Sequence, residues 1–227
     1  MKKRNFFSAK NVAYFAVLLA LVVVLQLFAS AIPMFGVTIN LSLIPIVLAG
    51  IFFGMWGGGF MGLVSGLITF IVMAVKGREP STAFLFQANP AVLTLICIGK
   101  TTVAGFVSGL IYRLIAKKNA LAAAYVASAL VAILNTGIYM LGMVLMKDDV
   151  ASFLGTEATA QVVFVTVFGL IWLNFVLEIA VNVLFAPAVH RVVLVVEKKV
   201  GKKNAEIKAN FPETKDGVPE NQTDQVK

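Results

Sequence analysis

The sequence predicts an all-α integral membrane protein, built as a bundle of six transmembrane helices. Two observations predict this class. Hydrophobic residues make up 59% of the 227 positions and charged residues only 13%, and a water-soluble fold has no place for so much apolar surface. The charges also avoid the middle of the chain, since 14 of the 30 lie from Arg191 onward.

Apolar runs of about twenty residues, the length that crosses a bilayer, lie between polar breaks. The first runs from about Asn11 to Ile32 and is closed by Pro33. The next four helices are predicted at about Leu41–Phe53, Phe60–Val75, Ala91–Ala116 and Leu121–Met146. The glycine-rich segment 54–59 is predicted as a turn, and polar loops are predicted at 76–90 and around 147–149.

The last apolar stretch, from Gln161 to Val196, is predicted to break, because as one helix it would reach about 54 Å. One placement lets a helix cross from Gln161 and stop near Pro187. The other makes residues 161–172 an outer cap and starts the sixth helix at about Leu173. The second placement is preferred.

Basic residues beside the helix ends predict the orientation. They gather at the amino terminus, in the turn 113–118 and at the start of the tail, and such flanks stay in the cytoplasm. Both termini are therefore predicted to be cytoplasmic. The predicted divisions are a basic amino terminus (1–10), a six-helix membrane domain (11–200) and a polar, disordered tail (201–227).

Several function classes are disfavoured by composition. The chain has one histidine and one cysteine, Cys97, so metal-binding spacings, a disulfide and a reactive dyad are lacking. No glycine motif for phosphate binding is present. The net charge of +8 lies beside apolar spans rather than on a soluble face, which argues against nucleic-acid binding. We predict no enzyme activity, no metal and no cofactor.

Two charged residues, Lys100 and Glu178, lie well inside predicted helices, where a charge facing lipid is costly. They either line a polar binding pocket or form a buried pair that joins two helices. Asn135 and Tyr139 share one face of the fifth helix, and Asn174 shares a face with Glu178, because residues four apart are neighbours on a helix. Interhelical hydrogen bonding alone also explains such polar stripes.

Two small residues one turn apart, Ala16 and Ala20, give the first helix a face that another helix can approach closely. This face serves either internal packing or docking of a partner. The loop 76–90 mixes cations, amides and aromatic rings, and that mixture suits a lid as well as a solvated loop.

In this order along the chain, the motifs resemble the substrate-binding, or S, components of energy-coupling factor (ECF) transporters. The resemblance spans about 11–196. It rests on Ala16-x-x-x-Ala20, Thr38-Ile-Asn-Leu-Ser-Leu-Ile-Pro45, Asn89-Pro90, Lys100, Asn135-Thr136 and Asn174-x-x-x-Glu178. It implies a pocket open to the outside of a bacterial plasma membrane and an alanine face that docks onto a membrane coupling protein with two ATPase subunits.

Within the family, the pattern looks most like pantothenate-type members and less like riboflavin or folate ones. Lys100 is then the counter-ion for a carboxylate. The resemblance adds Asn89 to the substrate-binding residues, with Asn135, Tyr139, Asn174 and Glu178. A stand-alone secondary transporter or small channel is the rival function, and it would use Glu178 as a proton or ion site.

Overall fold

The computed structural model describes residues 9–29 and 40–210, and every regular element within these two ranges is a helix. The helices are α1 (Ala9–Ala29), α2 (Leu43–Thr69), α3 (Pro80–Ala88), α4 (Pro90–Ile115), α5 (Ala120–Leu145), α6 (Lys147–Leu154) and α7 (Ala160–Asn210). A π-helical segment, Phe70–Val75, continues α2. The predicted all-α class is therefore confirmed, and the predicted end of the first helix near Pro33 lies outside the described residues.

Five helices in the described ranges are long and apolar enough to cross a membrane. The spans are Asn11–Phe28, Leu43–Val75, Pro90–Ile115, Ala120–Leu145 and Ala160–Val195. The fourth and fifth predicted helices agree with α4 and α5 to within one residue at each end. The predicted count of six depends on how α2 is divided.

Gly54 reverses the chain direction within α2. Its φ of 75° and ψ of −174° are not helical, and glycine adopts positive φ without the clash of a Cβ. Ser42 Oγ and Ser65 Oγ are 2.8 Å apart, although a straight helix would separate these residues by about 34 Å. The two arms of α2 therefore lie side by side, as the second and third predicted helices would.

The predicted turn over residues 54–59 is too long, because only Gly54 departs from helical geometry. The glycines that follow are buried in the second arm of α2, where they let α4 approach. A Cβ on Gly58 would collide with the Gly105 carbonyl, and one on Gly62 with the Thr101 carbonyl. The Thr101 hydroxyl donates a 2.7 Å hydrogen bond to the Gly62 carbonyl across this contact.

Two segments predicted as polar loops contain short helices. Pro80 stands at the start of α3, where its missing N–H costs nothing. Asp148 and Asp149 lie in the first turn of α6, where negative charge is favourable. Helix α6 ends at Gly155, which has a φ of 66°. Helix α3 packs against α4, and α6 packs against α5.

The predicted break near residues 172–173 is wrong, because α7 is helical from Ala160 to Asn210 and continues through Pro187. It is helical over 201–210 as well, the first part of the predicted tail. The chain divides into two compact units, Met1–Val189 and His190–Lys227. The site described next lies in the first unit.

Candidate functional site

A cavity of about 410 Å³ opens among the helices of the first unit, within the range of small-molecule pockets. Its polar and charged lining residues are Gln26, Asn40, Thr69, Glu79, Ser81, Thr82, Lys100, Asn135, Thr136, Tyr139, Asn174 and Glu178. Its apolar lining includes Met73, Leu93, Cys97, Met143, Val167 and Ile171. Every membrane-spanning helix contributes to the wall.

The Glu178 carboxylate, on α7, ties three parts of the wall together. Its Oε1 accepts a 2.9 Å hydrogen bond from the Asn40 backbone N–H and a long one of 3.5 Å from the Asn174 amide. Its Oε2 accepts from the Thr136 hydroxyl at 3.3 Å. The side chain is 3% exposed. A buried carboxylate loses its hydrogen bonds to water, and these three donors supply hydrogen bonds in their place.

A buried polar cluster continues from Asn40 to α1. Ser42 Oγ lies 2.6 Å from Asn40 Oδ1 and 2.8 Å from Gln26 Oε1. The Ser65 hydroxyl donates to the same Gln26 oxygen at 2.9 Å. Buried polar groups stabilise a fold only when they are satisfied in this way. The cluster therefore fixes α1 and both arms of α2 beside Glu178.

Lys100, on α4, also lines the cavity. Its Nζ lies 4.8 Å from the centroid of the Tyr139 ring on α5, a cation–π distance. Within the described ranges the one ion pair is Lys147 with Asp148 on the surface. Lys100 and Glu178 therefore line one cavity without pairing, which favours the pocket interpretation of these two charges.

Asn135 lies on the same helix as Tyr139, one turn earlier, and is 4% exposed. Its Oδ1 is buried without a hydrogen-bond partner among the described residues. Such an atom is uncommon in a folded protein. Asn135 therefore lines the cavity and also carries a buried acceptor without a partner among the described residues.

The short helices α3 and α6 also line the cavity. Phe84 on α3 and Phe153 on α6 bring their ring centroids to 5.3 Å. The Glu79 carboxylate, just before α3, accepts hydrogen bonds from Ser81 at 3.4 Å and Thr82 at 2.9 Å. The loop predicted to suit a lid therefore lies at the cavity as a helix.

Five of the six predicted binding residues line the cavity, namely Lys100, Asn135, Tyr139, Asn174 and Glu178. Asn89 is the exception. Its side chain accepts a 3.3 Å hydrogen bond from the Val92 N–H and caps α4, and it is not among the residues that line the cavity. A role of Asn89 in substrate binding stays a prediction. The cap satisfies a helix N–H that has no partner within the helix.

The prediction missed Gln26, Asn40, Glu79 and Thr136 as lining residues. Gln26 is a lone amide in an otherwise apolar run, and that isolation was a usable signal. Asn40 and Glu79 lie between helices, where periodicity gives no indication of direction.

The predicted docking residues Ala16 and Ala20 are exposed on α1. Leu18, Val22 and Gln26, on another face of that helix, are buried. The first unit therefore leaves the alanine face uncovered.

A family model described as "ECF transporter, substrate-specific component" matches residues 10–190 of the chain. No curated protein and no solved structure matches the chain. The matched range contains the cavity and all of its lining residues.

Proposed function

The chain belongs to the family of ECF transporter substrate-specific components, and on this premise we propose that it captures a small water-soluble vitamin, with pantothenate as the first choice. Members of the family are multi-pass membrane proteins and transporter subunits, so the prediction that the chain is not an enzyme is confirmed. The observation that carries the choice of vitamin is Lys100, a cation in the cavity wall without a carboxylate partner in the described residues.

Pantothenate fits the chemistry of this wall. Its carboxylate complements Lys100, and its hydroxyl and amide groups complement neutral polar residues such as Asn135 and Asn174. The apolar lining, with Met73 and Met143, suits its gem-dimethyl carbon skeleton. Several such contacts in one enclosed pocket are compatible with nanomolar affinity, about 12 kcal/mol.

Delivery depends on partners, as it does throughout the family. In our proposal the exposed Ala16 and Ala20 face docks onto a membrane coupling protein, and two ATPase subunits supply the energy. The chain crosses a bacterial plasma membrane six times, with the two arms of α2 counted separately and both termini in the cytoplasm. The reversal at Gly54 supports this count.

Calorimetry with the purified chain tests the proposal. We expect tight binding of pantothenate without turnover, and no binding of riboflavin. Reconstituted vesicles should accumulate pantothenate only when the coupling protein, both ATPases and ATP are present. Accumulation by the chain alone would instead support a secondary transporter, and tight binding of riboflavin would contradict the choice of pantothenate.

A further inference from the structure

The protein itself already satisfies both carboxylates of the cavity wall. Glu178 accepts hydrogen bonds from Asn40, Thr136 and Asn174. Glu79 accepts from two hydroxyl groups of α3, the helix that follows it. Their charges remain, but much of their capacity to accept hydrogen bonds is taken. Ligand contacts should therefore fall first on wall groups that have no partner in the protein.

Asn135 carries one such group. Its Oδ1 is one of three buried side-chain atoms without a partner in ranges 9–29 and 40–210, together with Thr156 Oγ1 and His190 Nδ1. Neither Thr156 nor His190 lines the cavity. A buried acceptor left unpaired is unfavourable, so the position of Asn135 in the wall points to a donor supplied by a ligand.

Lys100 carries the second wall group of this kind, an ammonium group without a carboxylate partner in the described residues. Its contact is with the face of the Tyr139 ring, which attracts the ammonium group but does not neutralise it. No carboxylate of the described residues pairs with it. An anionic ligand group would supply the negative charge that pairs with the ammonium group, and it would accept hydrogen bonds from the Lys100 N–H groups.

We infer that Asn135 is the specificity-determining residue of this cavity, and that the substrate is a small organic anion carrying an uncharged N–H or O–H donor. The anionic group lies at Lys100 and the donor lies at the Asn135 amide. This inference rests on the proposed function, because it defines the chemistry of the ligand that the same cavity captures. The alternative hypothesis is that the substrate is a cationic vitamin, since the carboxylates of Glu79 and Glu178 would attract a positive charge.

Replacing Asn135 with leucine separates a ligand contact from a structural one. Because its acceptor has no partner in the unliganded protein, Asn135→Leu should leave the melting temperature of the ligand-free protein unchanged or raise it. Its affinity for pantothenate should fall about tenfold, the value of one hydrogen bond. A lower melting temperature with unchanged affinity would overturn the inference.

Asn182→Leu is the matched control. Asn182 is also a buried asparagine of a membrane helix, at 3% exposure, but it does not line the cavity. Its amide donates a 2.8 Å hydrogen bond to the Glu178 backbone carbonyl. This variant should show the reverse pattern, with a lower melting temperature and unchanged affinity. Equal losses of affinity in both variants would overturn the inference.

Three ligands test whether the substrate must carry a negative charge. Pantothenate is an anion, pantothenol replaces its carboxylate with an alcohol, and thiamine is a cation. We expect the wild-type protein to bind pantothenate at least tenfold more tightly than pantothenol, and not to bind thiamine. Thiamine binding, or equal affinity for pantothenate and pantothenol, would overturn the anion assignment.

The single cysteine of the chain locates the ligand. Cys97 lines the cavity, so pantothenate should slow its reaction with a small methanethiosulfonate reagent. If no tested vitamin binds and none protects Cys97, the proposed function fails, and the inference fails with it. If pantothenate binds and protects Cys97 while Asn135→Leu keeps its affinity, only the inference fails.

Discussion

The Asn40 backbone N–H and the Glu178 carboxylate are joined by a 2.9 Å hydrogen bond across 138 residues of sequence. This contact attaches the segment just before α2 to α7. The same carboxylate also accepts from Thr136 on α5. One buried side chain therefore holds three separate parts of the cavity wall in position.

Replacing Glu178 with leucine should lower the free energy of unfolding by about 2 kcal/mol, because the donors of Asn40 and Thr136 would lose their acceptor. Glu178→Gln is the matched control. It keeps one oxygen for Asn40, and its amide can donate to the Thr136 hydroxyl, so most of the stability should be retained. Thermal melts of both variants in one detergent provide the measurement. Identical melting temperatures would argue against this role of Glu178.

Lys100→Met should weaken pantothenate binding by about 2 kcal/mol, the value of a charged hydrogen bond, with little effect on stability. Little stability should be lost because Lys100 forms no ion pair within the described part of the chain. Calorimetry and a thermal melt measure the two effects separately. Lys147→Met, which removes a surface cation, serves as the control. It should change the affinity for pantothenate and the melting temperature only slightly. Lost stability with unchanged affinity would refute a ligand contact at Lys100.

Gly62→Ala should destabilise the protein by about 2 kcal/mol, because the new Cβ would collide with the Thr101 carbonyl on α4. Gly137→Ala is the control, since a Cβ there meets no atom within 4 Å. Alanine has the higher helix propensity, so the control should be neutral or slightly stabilising in a melt. Equal stability of the two variants would mean that α2 and α4 do not approach at Gly62.

Ala16→Trp and Ala20→Trp should block assembly with the coupling module and leave pantothenate binding intact, because close approach of helices requires small side chains. Leu21→Trp, about 140° around α1 from Ala16, should assemble normally. Co-purification of the tagged chain with the coupling protein measures assembly. Normal yields from both alanine variants would remove the docking assignment.

The orientation can be tested with single cysteines introduced after Cys97 is replaced by serine. A cysteine at position 118 should react only after the membrane is permeabilised, because basic turns stay in the cytoplasm. A cysteine at position 78, in the segment before α3, should react in intact cells. Labelling of position 118 in intact cells would contradict the proposed orientation.

The sequence indicated that Lys100 and Glu178 either line a polar pocket or form a buried pair, because charge inside an apolar helix has few explanations. Both line the cavity. Spacing by four then added Asn135, Tyr139 and Asn174. Asn89 caps α4 and does not line the cavity, and the sequence could not separate these two roles because an asparagine before a proline also serves as a helix cap.

The length of α7 and the helices α3 and α6 could not be predicted from pattern alone. The apolar stretch from Gln161 exceeded the thickness of a bilayer, so a break was expected, yet the helix passes through Pro187 without one. Helices α3 and α6 have nine and eight residues, which is short for a periodic signal. Their stability comes from packing against longer helices rather than from propensity.

The glycine contacts between α2 and α4 have a mechanical consequence. Where Gly58 meets Gly105, backbone touches backbone and no rotamer lies between the helices. Tightly packed interfaces of this kind have few alternative arrangements. We therefore expect α2 and α4 to move as one rigid body during a transport cycle. Admission and release of a molecule would then require other helices to slide or tilt relative to this pair.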